Sequence, residues 1–371
     1  MSDKPLQAAI DVVNAVEMPD SALICAKVRA LARGYWARWA TVDAFLKPVH
    51  IERTLSCRLP NPDTGKFSRD LLVGGKIDVV FDRMGKTVFF DHKTVSEDIA
   101  DPAGTYWKQL IVDSQPSHYH WLLWLNGEKV DECTWNCLRK PSISPKQLKS
   151  KAERASAIAE RRYFNAPLSQ ATLDWLQTND REDLPMYEAR LTHDCTIERP
   201  DWYFQRRTVP RLDDELMEYG RDLWDAGQLI LDARRHNRWM KHPRSCMQYG
   251  RPCPYLGICS GYTTPDGPEW TKREKVHPEL DSSDHNTLTF SSIRCYQTCP
   301  RKFYFLYELG ISKRDEEESE ALFFGSLMHT CLEVLYKEIQ YGNDSPAAQG
   351  NDLGATGGSQ AELAAASHND F

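Results

Sequence analysis

Two carboxylates and an ammonium group share one short stretch, Gly75 to Thr94, which reads GKIDVVFDRMGKTVFFDHKT. Asp78 sits inside an apolar run, and Asp91 and Lys93 close a second one that begins at Thr87. Carboxylates are hard oxygen ligands suited to Mg²⁺ or Mn²⁺. Such an ion lowers the pKa of a bound water and offsets charge developing on a phosphate. A lysine beside it can position that water or stabilise the developing charge. The plainer alternative is a surface hairpin with scattered charges. It fits less well here, because carboxylates within or at the end of apolar strands need a compensating ion or partner.

The elements that must hold these groups are legible around them. Short β-branched and aromatic runs on either side of Asp82-Arg83-Met84-Gly85-Lys86 predict a β-hairpin. Strand alternation then puts Asp91 and Lys93 on one face and His92 on the other. Before the hairpin, residues 5–18 and 21–44 have helical patterns, the second with Ile24, Val28, Leu31, Tyr35 and Trp39 along one stripe. Arg29 and Arg33 share a face of that helix, where they could meet phosphates or simply face solvent. Residues 49–58 suggest a strand, on which Glu52 is either a neighbour of the metal or an ordinary exposed glutamate. A helix is expected over 105–125, with a second segment able to begin at Gln115, since Pro116 suits an early helical turn. A strand comes next over 128–136, then a segment rich in Lys and Arg: Lys146, Lys149, Lys151, Arg154, Arg161 and Arg162. That segment reads equally as a phosphate-gripping arm or as a solvated helix. Residues 168–183 read as helix, 186–197 and 202–209 as strands, and 212–240 as a long helix.

The spacing of Asp78 and Asp91-His92-Lys93 resembles the PD-(D/E)XK nuclease superfamily, in particular its RecB-like exonuclease branch. Asp78 takes the place of the lone aspartate there, and Asp91-His92-Lys93 that of the (D/E)xK. RecB-like nucleases carry a Q-x-x-x-Y signature on the helix after the lysine strand, and Gln115-Pro116-Ser117-His118-Tyr119 matches it. They open with a C-P-x-x-[FY] helix and then a G-x-x-x-H helix. Here Cys299-Pro300-Arg301-Lys302-Phe303 and Gly325-Ser326-Leu327-Met328-His329 resemble those motifs. The resemblance implies an α/β fold with a mixed sheet flanked by helices. It implies metal ligation by Asp78, Asp91 and His329, water positioning by Lys93, and orientation of substrate or lysine by Gln115 and Tyr119.

Cys246, Cys253 and Cys259 fall within fourteen residues rich in Gly and Pro, a setting that lets thiolates converge. Some RecB-like relatives, among them the AddB subunit and the CRISPR adaptation nucleases, hold an iron–sulfur cluster whose first cysteine is that of C-P-x-x-[FY]. The resemblance therefore implies a 4Fe–4S cluster on Cys246, Cys253, Cys259 and Cys299 that clasps the C-terminal region. The x6 gap between Cys246 and Cys253 is longer than the common x2, which leaves zinc, or no metal, as alternatives.

The opening motifs lie after the catalytic strands. A circular permutation or displaced first segment accounts for this, completing the site in cis or, by domain swapping, in another chain. The expected organisation is a helical segment over 1–48, a nuclease core with helical insertions over 49–245, a cysteine cluster and linker over 246–287, the displaced segment over 288–340, and a disordered tail over 341–371.

The chain has 371 residues and a net charge of −7, which argues against a general nucleic-acid coat but not against a local basic groove. No apolar run is long enough for a membrane span and no secretory pattern opens the sequence, so a cytoplasmic location and no membrane partner are expected. Eleven cysteines in such a chain suggest metal before disulfides. The expected function is a Mg²⁺- or Mn²⁺-dependent DNase acting on DNA ends in recombination, repair or phage DNA processing. The alternative is a non-cleaving nuclease-like module for DNA or a helicase partner. No G-x-x-x-x-G-K-[ST] is found, so a motor would come from a helicase or recombination partner.

Overall fold

The computed structural model describes residues 3–18, 20–148, 151–248, 250–314 and 319–344, with the backbone alone for Lys151, Asn343 and Asp344. Its centre is a mixed sheet. The strands are β1 (Lys47–Pro60), β2 (Phe67–Arg83), β3 (Lys86–Val95), β4 (Glu132–Arg139) and β5 (Phe204–Thr208), side by side in that order. β1–β2, β2–β3 and β4–β5 are antiparallel and β3–β4 is parallel. A short strand, β6 (Thr287–Leu288), pairs parallel with Leu72 and Val73 of β2.

Helices cover both faces. On one side, α1 (Lys4–Asn14), α2 (Ala22–Trp39), α7 (Leu184–His193) and α10 (Glu320–Asp344) bury Val28, Leu31, Tyr187, Met328 and Leu332 against Val79, Phe81, Val88 and Phe90. On the other, α3 (Thr105–Val112), α4 (Gln115–Leu125), α8 (Asp213–His236) and α9 (Phe290–Thr298) close over Ile77, Val80, Phe89 and Trp135. α8 forms because Tyr219, Leu223, Ala226, Ile230 and Ala233 recur on one stripe. Acidic residues in its first turn, basic residues in its last, and left-handed Asn237 at its end suit the helix dipole and the C-cap. α5 (Lys151–Glu160) and α6 (Gln170–Thr178) belong to a small satellite core around Leu148, Tyr163, Leu176 and Met186. Among the described residues no helix is long and apolar enough to cross a membrane.

Several expected elements differ. Residues 186–197 are not a strand. Asp183 accepts a hydrogen bond from Met186 N at 2.9 Å, Pro185 fits the first turn, and Met186, Tyr187 and Leu191 face the interior, so the segment starts a helix. The helix expected over 21–44 stops at Trp39, and a tight turn at Asp43–Phe45 comes after it. The strand expected over 128–136 lies later, at Glu132–Arg139. The helix over 105–125 breaks at Asp113, whose carboxylate accepts from Gln115 N at 2.8 Å. Arg29 and Arg33 both pair with Glu188 on α7, so they are packing contacts rather than a free phosphate grip. In the basic segment Lys146 pairs with Glu153, while Arg154, Arg161 and Arg162 donate to Asn179, Gln170 and Asn165. Lys149 lies outside the described residues.

The stretch over 246–287 is tied to the segment C-terminal to it, since Trp270–Lys272 pairs with Ile311–Lys313. The segment over 288–340 contributes to both cores, through Ile293 and Tyr296 on one side and Phe324 to Ile339 on the other. α10 continues through residue 344, and the rest of the tail expected over 341–371 lies outside the described residues.

Candidate active site

The site opens where two strands part. β2 and β3 pair from Arg83↔Lys86 back to Val79↔Phe90 and no further, while β3 continues along β4 to Val95↔Arg139. The backbone N–H of His92 therefore lacks a partner on β2. The Asp78 carboxylate fills that place, accepting from His92 N at 2.6 Å. A sheet irregularity thus fixes one carboxylate in orientation, with its remaining lone pairs free for a cation.

On the far side of Asp78 stands β1. The pairs Ile51↔Val79 and Arg53↔Ile77 put Glu52 opposite Asp78. Glu52 is in the left-handed region, at φ +52°, a strained conformation for a non-glycine residue, of order 1–2 kcal/mol.

The third contributor comes from the far end of the chain. α10 lies close to β3 at Gly325, where an added Cβ would meet Thr94 Oγ1 at 3.2 Å. Four residues on, along the same face, His329 Nδ1 lies 3.9 Å from Asp78 Oδ2. One donor atom each from Glu52, Asp78 and His329 falls within 4.8 Å of the others. Burial, with Lys93 nearby, holds the His329 imidazole below its usual pKa, so it is neutral and able to ligate at neutral pH. Burial and the neighbouring Asp78 raise Glu52, and burial raises Asp78 against the pull of Lys93. Both carboxylates need a cation to be comfortably charged, and the neutral imidazole offers it a lone pair.

Asp91 and Lys93 lie beside this group on one face of β3, with His92 on the other, as the alternation predicts. Lys93 Nζ is 2.5 Å from Asp91 Oδ2, an oblique ion-pair contact, and 4.9 Å from the centre of the Trp135 ring. Burial, reinforced by Asp78 and opposed by Lys93, pushes the Asp91 carboxyl up to about 6. Burial works against the Lys93 charge, but Asp91, Tyr119 and Asp78 more than offset it and hold the ammonium above its ordinary pKa. Gln115 Nε2 donates to Tyr119 OH at 3.0 Å on α4, and Tyr119 faces Lys93 and the two aspartates. Tyr119 remains a phenol, raised by burial and then by Asp91. The expected residues Asp78, Asp91, Lys93, Gln115, Tyr119 and His329 thus gather in one place, within a single chain.

Sequence reasoning weighs Glu52 without including it in the site, and misses Lys76 and Glu333. Lys76 Nζ lies 2.5 Å from Glu52 Oε2. Glu333, one turn beyond His329, acts on Glu52 and Lys76. The available signals are spacings: Lys76 two residues before Asp78 on a strand, and Glu333 four residues after His329 on a helix.

A buried polar network behind β3 is likewise invisible in the sequence. Arg206 forms a bidentate pair with Asp43 at 2.5 and 2.8 Å, and donates to Asn136 Oδ1 at 3.1 Å and Tyr35 OH at 2.7 Å. Asn136 Nδ2 lies 2.8 Å from Tyr35 OH and 2.7 Å from His92 Nδ1. Tyr336 of α10 stacks on His92, with ring centres 5.6 Å apart and planes 9° from parallel.

Of the four candidate cysteines, Cys299 caps the C-terminus of α9, and Cys246, Cys253 and Cys259 lie in the chain between α8 and α9. His242 Nδ1 and Ser245 Oγ donate to Thr298 O at 3.0 and 2.9 Å, docking the Cys246 loop against Cys299. Cys253 N donates to Cys246 O at 2.8 Å. Cys253 and Cys259 pack around Tyr255 and Trp270. Burial raises the Cys253 thiol, Lys302 lowers it, and Cys246 and Cys299 are close enough to add to the rise. Cys295, a turn before Cys299, adjoins the same group, and burial pushes it up to about 11. Among the described residues, no three of these sulfurs converge within 4.8 Å.

Residues 287–367 match the family model of the PD-(D/E)XK nuclease superfamily. The match includes Cys299-Pro300 and Gly325 to His329, while Asp78, Asp91 and Lys93 precede it. The mixed sheet flanked by helices is consistent with that fold. No curated protein and no solved structure matches the chain.

Proposed function

We propose that this chain is a metal-dependent deoxyribonuclease of the RecB-like branch, acting on DNA ends. The observation that carries the reading is the meeting of Glu52, Asp78 and His329 beside the Asp91–Lys93 pair, from three separate parts of the chain. Asp78, His329 and Asp91, with Glu52, would hold Mg²⁺ or Mn²⁺; three carboxylates and a neutral imidazole suit such an ion. When bound, the ion supplies acidity to a water and charge neutralisation to the scissile phosphate. Lys93 donates hydrogen bonds at that point and orients the attacking water. Tyr119, fixed by Gln115, keeps Lys93 directed into the site. The water oxygen bonds to phosphorus as the ester P–O bond breaks, and the leaving oxygen takes up a proton.

The GxxxH segment acts as a displaced opening segment that completes the site in cis. Contacts between the two ends of the described chain support this: Lys4 Nζ lies 3.1 Å from Glu338 Oε2, and Tyr35 OH lies 2.6 Å from Tyr336 OH. Cys246, Cys253, Cys259 and Cys299 hold a 4Fe–4S cluster with a structural role. Cys253→Ser should abolish the iron–sulfur absorbance and lower the melting temperature by several degrees; an unchanged melt would count against the clasp.

The deciding experiment is degradation of linear and circular DNA by anaerobically purified protein with Mn²⁺, beside Asp91→Ala. Loss of linear DNA alone, abolished by the substitution, supports an end-dependent nuclease. Cutting of both forms keeps the nuclease and removes the end dependence. Binding without cutting favours a non-cleaving module that serves DNA or a helicase partner.

A further inference from the structure

Lys76 takes no part in the chemistry proposed for the site, yet it stands within it. It precedes Asp78 by two residues on β2, and its only hydrogen-bonding or ion-pair partner among the described residues is Glu52, at 2.5 Å. Its charge acts on Asp78, Glu333 and His329 as well. Its side chain is 36% exposed, so it lies at the rim of the site, on a flexible four-carbon stem. Lys93 differs: it is held on Asp91, a residue 2% exposed, and over the Trp135 ring.

Glu52 cannot serve both cations equally. A dication shared by Glu52, Asp78 and His329 repels an ammonium resting on the same carboxylate. Glu52, Asp78 and Asp91 face Lys76 and Lys93, while Glu333 is paired with Lys337 at 2.5 Å, so the metal-free group carries one uncompensated negative charge. A divalent cation reverses this to one surplus positive charge, and the nearest group free to carry that surplus outward is Lys76. The natural acceptor of such a charge at a nuclease site is a backbone phosphate.

We infer that Lys76 is a displaceable counter-ion: it holds Glu52 in the metal-free protein and, once a divalent cation takes that carboxylate, moves onto a phosphate of the DNA strand. The inference rests on the metal-dependent nuclease reading. It makes metal loading and substrate grip one coupled event, since the ammonium that grips DNA is released by the metal.

The test uses the full chain and Mn²⁺ itself, with binding read by calorimetry or by electron paramagnetic resonance of free Mn²⁺. Lys76→Met should bind Mn²⁺ about fivefold more tightly, the effect of removing an ion pair that is a third exposed, and Lys76→Arg should bind as the wild type does. Tighter binding cannot arise from misfolding. In a Lys93→Ala background, with Mn²⁺ present, Lys76→Met should also reduce the salt dependence of single-stranded oligonucleotide binding by roughly 0.7, the contribution of about one phosphate contact. Equal or weaker Mn²⁺ binding by Lys76→Met, or an unchanged salt dependence, overturns the inference. If wild-type Mn²⁺ binding is absent or insensitive to Asp78→Asn, the metal site itself falls, and the inference with it.

Discussion

Metal affinity should depend steeply on pH, with a sign set by Asp91. Its carboxyl is pushed up to about 6 by burial, with Asp78 adding to the rise and Lys93 opposing it. The metal-free protein therefore binds a proton near pH 6 that the metal-bound protein, which needs the carboxylate, does not. Affinity must rise with pH through that value and level off above it. With a pKa of about 6, roughly nine-tenths of Asp91 is ionised at pH 7 and roughly one-tenth at pH 5, so Mn²⁺ binding should weaken about tenfold, or about 1.4 kcal/mol. His329 is held below its ordinary pKa, so it adds to the fall only toward the acid end. The assay is calorimetric Mn²⁺ titration from pH 5 to 8 in two buffers of different ionisation enthalpy, which counts protons. About one proton should leave per ion at pH 5 and almost none at pH 8. Asp91→Asn should flatten the profile and lower its plateau. A flat wild-type profile, or a slope that survives Asp91→Asn, would refute the placement of Asp91 in the metal set.

Glu52 carries backbone strain that glycine would relieve, so Glu52→Gly should be more stable than Glu52→Ala by about 1 kcal/mol in thermal melts with chelator, while both lose Mn²⁺ affinity. Gly325→Ala brings a Cβ to 3.2 Å from Thr94 Oγ1; shifting His329 by a few tenths of an ångström should cut DNA cleavage by roughly tenfold, and adding Thr94→Ala should restore much of it. Arg206→Met leaves Asp43, 5% exposed, as an uncompensated buried charge, and should destabilise the protein by about 3–5 kcal/mol in urea unfolding, with partial recovery in the Arg206→Met, Asp43→Leu double variant.

Local signals carry much of this architecture. The hairpin of β2 and β3 comes from alternation and a Gly turn, and Pro116 foreshadows the break at Asp113. His329 stands out by its spacing to Gly325, and that spacing has a physical basis, since the glycine lets α10 approach β3. The failures lie where tertiary context decides. Residues 186–197 hold apolar side chains that suit either period, and the Asp183 cap settles the matter. The left-handed turn at Glu52 has no local signature, because glutamate is disfavoured there. Lys76 is indistinguishable in sequence from an exposed strand lysine until β1 brings Glu52 across from Asp78. The Arg206 network joins residues more than 100 positions apart, from Tyr35 to Tyr336, through Asn136.

That network bears on the chemistry through one residue. His92 presents its side chain to the buried side of β3, where Asn136 and Tyr336 fix it, while its backbone N–H holds the Asp78 carboxylate. Tyr336 belongs to α10, the helix that also supplies His329, and its hydroxyl meets Tyr35 OH at 2.6 Å and Asp43 at 3.3 Å. The position of α10 along the sheet and the orientation of Asp78 are therefore set by the same contacts. A ligand group assembled from distant parts of the chain needs such a common reference, because an error of about 1 Å between two ligands is enough to spoil a metal site or a reacting geometry. The order in which the segments occur along the chain is immaterial to that requirement. It is met when α10 and β3 share a common set of largely buried, hydrogen-bonded partners, and the Arg206–Asp43–Tyr35–Asn136 network supplies it.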